Sequence, residues 1–316
     1  MDQQHSGTRE VVALCGLGNM GGAVAGRLAE RYHVLGSDLS EQRRAQAADR
    51  YGVELVDNLA DLSKAPVVVL SLPAPDISVS VTTELLPSLS PGTLVLETST
   101  VNPLDMWRLR DLCAPAGVRV VDAAILSGVA QMAAGRGTLL VGGAAEDLAA
   151  VAPLLEVLGS RVLTFGDVGS GMAAKVINNA VAHAVMVVLV EAGAMAAATG
   201  LAADDLAGLL SDPDAGLLRP LTHRFVERVM RSDYDGGMPT EAARKDSTLA
   251  LGLAQTAGVP LFAIQGAHTA YEIAVGEGLG RLDYASIARL WEGWTGRPMA
   301  GTAPESSLAV TAAAKQ

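Results

Sequence analysis

The stretch Val11-Val-Ala-Leu-Cys-Gly-Leu-Gly-Asn-Met-Gly-Gly-Ala-Val-Ala-Gly-Arg-Leu-Ala-Glu30 decides the fold. Its first five residues are apolar and suit a strand buried on both faces. Gly16-Leu-Gly-Asn-Met-Gly21 follows at once, and Gly22 to Glu30 reads as helix. A G-x-G-x-x-G that joins a strand to a helix is a dinucleotide fingerprint. Gly16 makes the tight turn, Gly18 lets the backbone approach a pyrophosphate, and Gly21 lets helix pack on strand. Leu17, Asn19 and Met20 complete the loop, and the helix N-terminus faces the phosphate charge. A second strand, Tyr32 to Gly36, leads to Asp38, about 20 residues beyond the glycines, where a carboxylate grips the ribose 2′-hydroxyl. An acid there repels a 2′-phosphate, so the expected cofactor is NAD, with NADP possible because Arg43 and Arg44 lie close by. Asp38 could instead serve only as a turn or helix-capping residue.

Further strands alternate with helices. Pro66–Ser71, Thr93–Glu97, Val118–Val121 and Thr138–Val141 are short apolar runs. This alternation predicts an α/β fold, a doubly wound parallel sheet of Rossmann type. Ligands of such sheets lie beyond the carboxyl ends of the strands. Leu72-Pro73, Ser99-Thr100 and Ser127-Gly128 all fall there, where a cofactor or its substrate would lie.

The second half is different. Gly169-Ser-Gly-Met-Ala-Ala-Lys-Val-Ile-Asn-Asn179 opens a long apolar helix and sets Lys175 and Asn179 four residues apart, on one helix face. A lysine in such a run either extends to solvent or is held inside for chemistry. Ala173–Ala198 is long enough to cross a bilayer, but it carries Lys175, Asn178, Asn179, His183 and Glu191. The expectation is a helix buried between protein layers. Apolar helices near Asp246–Ala257 and Phe262–Val275 continue an all-α second domain. The expected boundaries are 10–167 for the nucleotide domain and 168–296 for the helical one, with 1–9 and 297–316 as flexible tails.

The chain has 316 residues, a net charge of −11, 50% hydrophobic residues and only 3% aromatic ones. Two domains fit that length. The acidic balance, with no basic cluster, argues against nucleic acid or an anionic membrane surface as partner. Cys15 and Cys113 form neither a disulfide framework nor a metal-ligand spacing, so no metal site is expected. Residues 1–9 lack the apolar core of a signal peptide, and a cytoplasmic location is expected.

Taken in order, Gly16–Gly21, Ser99-Thr100, Ser127-Gly128 and Gly171–Asn179 resemble the motifs of the β-hydroxyacid dehydrogenases, which include 3-hydroxyisobutyrate dehydrogenases and tartronate semialdehyde reductases, with 6-phosphogluconate dehydrogenase more distant. The resemblance spans about residues 10–295. It implies an NAD(P)-dependent oxidoreductase that moves a hydride between the cofactor and a small 3-hydroxy acid or its carbonyl form. Lys175 would be the general acid–base and Asn179 its orienting partner. Ser127 and Gly128 would bind the substrate carboxylate, and Lys245 would add charge at substrate and cofactor. The broad apolar helical surface implies a homodimer or homotetramer. Lys245 also fits a solvated helix lysine, and Ser127 a plain turn residue. The family's D-x-x-x-S-G-G loop is met loosely: one extra residue separates Asp122 from Ser127, Leu126 precedes the serine, and Val129 replaces the second glycine. Met238 and Thr248 also depart from the family pattern, so substrate identity does not carry over. Two alternatives stay open. An imine reductase or reductive aminase shares the architecture but usually has Asp or Tyr at the lysine position. A non-catalytic relative would keep the fold for binding alone.

Overall fold

The computed structural model describes residues 9–300, so the expected flexible tails lie almost wholly outside the described residues. The chain forms two compact units that divide inside one helix, between Asn179 and Ala180. The long helix thus begins in the first unit and continues into the second. The first turns of the long helix, with Lys175 and Asn179, pack with the sheet.

The first unit runs β1 (Val11–Cys15), α1 (Asn19–Ala29), β2 (His33–Ser37), α2 (Glu41–Tyr51), β3 (Glu54–Leu55), β4 (Val67–Leu70) and α3 (Pro75–Leu85). It continues through β5 (Leu94–Glu97), α4 (Pro103–Cys113), β6 (Arg119–Ile125), α5 (Val129–Ala133), β7 (Gly137–Gly142), α6 (Ala145–Leu158) and β8 (Gly159–Thr164) into α7 (Ser170–Thr199). The eight strands form one sheet in the order β3-β2-β1-β4-β5-β6-β7-β8. All neighbours are parallel except β6 and β7, so β7 and β8 run against the rest. This is the doubly wound parallel sheet expected from the sequence, with one antiparallel pair between β6 and β7. The segment between Ile125 and Gly137 holds only the single-turn α5, too little chain for a parallel crossover, so it turns back instead.

Alternate residues of β1 point to opposite faces, as the two-residue period requires. Val12 and Leu14 join a core with α1 and α6, built on Val24, Leu28, Leu154 and Leu158. Ala13 and Cys15 join the other core with α4 and the start of α7, built on Met106, Leu109, Cys113 and Met172. The sheet is thus covered on both sides, which explains why its strands read as continuous apolar runs. Cys15 and Cys113 are buried free thiols, both raised by burial, to about 12 and about 11, and so inert.

The second unit is helical: the later turns of α7, then α8 (Ala203–Ser211), α9 (Thr240–Ala257), α10 (Ala263–Gly276) and α11 (Ala288–Thr295). Glu191 on α7 accepts the backbone N–H groups of Phe262, Ala263 and Ile264 and so caps α10. Those bonds hold its carboxyl below the usual range against a burial effect that acts in the opposite direction.

One expectation needs correcting here. The apolar stretch of α7 is mostly exposed in the single chain rather than buried between layers. Ile177, Val181, Met186 and Val190 all stand open, Ile177 at 65%. The five polar and charged side chains do not explain this, because the apolar ones between them are exposed as well.

Gly21 is the tightest point of the fingerprint. A Cβ there would overlap the Gly16 carbonyl and come within 3.4 Å of Ser71 Cβ. Overpacking of this kind costs about 1–3 kcal/mol. Gly21→Ala is therefore expected to lower the melting temperature by several degrees and to abolish the rise that added NAD gives wild type, both measured by calorimetry.

Candidate active site

The carboxyl ends of β1, β2, β4, β5 and β6 share one edge of the sheet, because these strands are parallel. Gly16–Gly21, Asp38, Leu72-Pro73, Ser99-Thr100 and Ser127-Gly128 each follow one of those ends. The topology alone gathers them along that edge.

Gly18 is the N-cap of α1 and offers no side chain, so the first N–H groups of the helix are left for a ligand. Asp38 holds the loop from the side. Its Oδ2 accepts the Leu17 N–H at 2.7 Å and its Oδ1 the Ser40 N–H at 2.8 Å. Each oxygen keeps a second lone pair for a ribose hydroxyl. An uncapped helix start beside an oriented carboxylate fits a dinucleotide.

Of the two arginines, Arg44 turns away, to the Val56 carbonyl and to Asp57. Arg43 instead reaches over the glycine loop, with its guanidinium 3.6 Å from where a Cβ on Gly18 would stand. A cavity of about 1040 Å³ opens beside Leu17, Gly18 and Asn19, with Arg43, Gln46 and Tyr51 of α2 on one side and Val129 and Ala130 on the other. It follows α1 and α2 and does not include Asp38, Leu72, Pro73 or Thr100. The strand-end arrangement is the better guide to the nucleotide, since it follows from the direction of every parallel strand, whereas the cavity shares only the glycine loop.

Leu72 and Pro73 are held by a short chain of bonds. The Leu72 N–H donates to Ser99 Oγ at 2.7 Å, and the Ser99 N–H donates to Glu97 Oε1 at 2.7 Å. Glu97 is fully buried, and burial raises its pKa. Glu97 was not singled out from the sequence. The available signal was an acid closing the apolar run Leu94-Val-Leu-Glu97. Thr100, next to the buried Ser99, is exposed.

Ser127 and Gly128 follow β6. The Ser127 hydroxyl is buried without a hydrogen-bond partner among the described residues. The Gly128 N–H donates to Gln131 Oε1 at 2.9 Å. Gln131, also missed from the sequence, takes the bond that the resemblance would give to a substrate carboxylate.

Lys175 and Asn179 lie on α7, both half-buried and one turn apart on one face. Lys175 makes no hydrogen bond or ion pair among the described residues, and burial lowers its pKa. Gly169 sits against Asp122, and Gly171 sits against Leu140, which pairs with Ala124 further along β6. Gly169, Gly171 and Met172 thus all meet Asp122 in β6, and Lys175 follows Gly171 by one turn. Lys245 lies on α9 in the second unit, where its ammonium pairs with Asp246 at 2.9 Å and is 66% exposed.

Comparison with known proteins bears on what this edge does. Residues 11–166 match the model of the NAD binding domain of 6-phosphogluconate dehydrogenase, and residues 169–291 match that of the NAD-binding domain of NADP-dependent 3-hydroxyisobutyrate dehydrogenase. An NAD-dependent L-serine dehydrogenase of Pseudomonas aeruginosa is 29% identical over 89% of this chain and 97% of its own. The solved structure of Mycobacterium tuberculosis 3-hydroxyisobutyrate dehydrogenase with L-serine is 26% identical, with a TM-score of 0.62 over 90% of this chain and 99% of its own. An imine reductase from Myxococcus stipitatus in complex with NAD+ superposes with a TM-score of 0.80 over 90% of this chain and 99% of its own. At 19% identity, that likeness speaks for the fold alone. Two family models that together span nearly the whole described chain, with relatives of matching length, place it among NAD(P)-dependent oxidoreductases: the chain belongs to the β-hydroxyacid dehydrogenase family.

Proposed function

We propose that this enzyme oxidises a short 3-hydroxy acid of the size of serine or 3-hydroxyisobutyrate, with NAD as its preferred acceptor and Lys175 as its proton-transfer group. The observation that carries the proposal is Lys175 itself: a half-buried lysine with no anionic partner among the described residues, in the first turns of a helix whose entry is bound to β6. The names of the relatives, an L-serine dehydrogenase and a 3-hydroxyisobutyrate dehydrogenase, support the substrate class. The imine-reductase alternative rests on fold likeness alone and does not account for the lysine.

The bound dinucleotide supplies the hydride acceptor. The glycine loop and the start of α1 would hold its pyrophosphate, Asp38 its adenosine ribose, and Leu72, Pro73 and Thr100 would border its far end. Lys175 would take the proton of the substrate hydroxyl as the carbon bearing that hydroxyl gives up hydride to the nicotinamide, and it would return the proton in reduction. A free lysine, with a pKa near ~10.4, is a poor base at neutral pH. Burial disfavours the ammonium and brings the group toward its working range. Asn179 orients the hydroxyl or the amine. The substrate carboxylate takes the Gly128 N–H from Gln131 and draws on the Ser127 hydroxyl. A cytoplasmic location belongs to the same proposal.

Subunit association is part of it too. Ile177, Val181, Met186 and Val190 on α7 and Leu249 and Leu253 on α9 are too much exposed apolar surface for a chain that works alone. A second copy covers them, as a closed homo-oligomer does. Light scattering at micromolar concentration without detergent should give a dimer or a tetramer, and Val190→Glu should shift it toward smaller species. A stable, active wild-type monomer would remove the oligomer from the proposal.

For the cofactor, kcat/KM with NAD should exceed that with NADP at least tenfold, and Asp38→Ala should narrow the gap. An NADP preference would instead point to Arg43, since Arg44 is engaged elsewhere.

For proton transfer, Lys175→Ala should lower kcat by ~10²–10⁴ and leave the Kd for NAD within a few-fold. Asn179→Ala should cost less. In the oxidation direction the base must be neutral, so kcat/KM should rise with pH, with a midpoint below that of a free lysine. Lys175→Ala should abolish that limb. Turnover near the wild-type rate in Lys175→Ala would overturn the mechanism.

A further inference from the structure

Asp122 stands in β6 with no part in the chemistry described above. It is fully buried. Its Oδ1 accepts the Gly169 N–H at 2.6 Å and its Oδ2 the Met172 N–H at 2.8 Å. Both oxygens thus grip the entry of α7, where the backbone N–H groups of a helix have no partner of their own. The contact is close on every side. A Cβ on Gly171 would overlap the Leu140 carbonyl and come within 2.8 Å of Asp122 Oδ2, and one on Gly142 would come within 2.7 Å of Asp122 Oδ1. Trp107 on α4 adds a second tie, donating its indole N–H to the Val168 carbonyl at 3.0 Å.

Between these bonds and the tie that Glu191 makes further along, α7 is largely open on one side. Met172 is buried, but Ile177, Asn178 and the residues from Ala180 to Ala184 are exposed. A rod fixed at one end transmits any rotation or slip at that end to every residue further along. Lys175 follows Met172 by three residues and Gly171 by four, so it shares their face one turn on. Reacting groups displaced by about 1 Å can cost ~10²-fold in rate. Burial, meanwhile, raises the Asp122 carboxyl to about 6, against the lowering effect of the backbone bonds. The neighbouring titratable group is Glu97, which pairs with Asp122 in register across β5 and β6 and is itself raised by burial.

We propose that Asp122 is a positioning residue of the reaction: by gripping the entry of α7 from within the sheet, it sets the rotation and height of that helix and so the place of Lys175 at the ligand edge. The inference rests on Lys175 as the acid–base.

The test is a cycle of variants. Asp122→Asn keeps shape but presents an amide N–H to one of the two backbone donors, so one grip is lost. It is expected to lower kcat at least 30-fold, to change KM less than threefold, and to leave the Kd for NAD, read by fluorescence titration, within threefold of wild type. Made on Lys175→Ala, the same change is expected to cost less than threefold more, because a residue acting through the lysine has nothing left to position. Gly171→Ala, which crowds the Leu140 carbonyl and Asp122 Oδ2 while keeping the carboxylate, is expected to show the same split between kcat and NAD affinity. A wild-type kcat in Asp122→Asn, or an equal loss on both backgrounds, would overturn the proposal. So would failure of both Asp122→Asn and Gly171→Ala to fold, since the carboxylate would then serve the fold rather than the lysine. If Lys175→Ala stays active, the acid–base assignment fails first; if Lys175→Ala is inactive and Asp122→Asn is normal, only the positioning role fails.

Discussion

The direction of the strands governs nearly everything else in the first unit. Five parallel strands must send their connections out at the same edge, so the glycine loop, Asp38, Leu72, Ser99 and Ser127 meet there although they are far apart in sequence. Each loop is then fixed by one or two bonds from the strand that precedes it or from its neighbour. Asp38 holds Leu17, and Ser99 holds Leu72. The edge is thus assembled from backbone N–H groups oriented by side-chain oxygens, which costs little reorganisation when a ligand arrives.

Much of this was legible in the sequence. The β1–α1 fingerprint, the apolar runs that became β4, β5 and β7, and the long helix from Ser170 all follow from periodicity and from glycine placement. What escaped did so for physical reasons. β3 is two residues long at the edge of the sheet, and β8 opens Gly159-Ser-Arg161 with two exposed positions, so neither carries an apolar signature. The reversal at β7 depends on how little chain lies between Ile125 and Gly137, a matter of length rather than composition. The exposure of α7 could not be read at all. An apolar helix has the same pattern whether its own chain or another molecule covers it.

At the site, motif residues were legible and their supports were not. Lys175 and Asn179 stand out by spacing. Gln131 does not, because a glutamine three residues after a glycine is common, and only the fold shows it bonded to the Gly128 N–H. Glu97 and Asp122 were visible as acids inside apolar runs, a pattern that asks for a partner. Naming that partner, a residue two positions on for one and a helix entry for the other, required the folded chain.

The buried pair has a consequence for proton linkage. Burial raises the Asp122 carboxyl to about 6, above its ordinary value in the unfolded chain, so it binds its proton more tightly when folded. Between those values the native state carries more protons than the unfolded chain, so the contribution of this group to stability is greatest below the lower value and is lost as pH rises through the upper one. Glu97 is shifted in the same direction. Folding therefore takes up protons from weakly acidic solution at the very strands that carry the reacting edge. At neutral pH, where Asp122 is ionised and grips α7, the protein keeps that arrangement at the expense of stability it would have in mild acid.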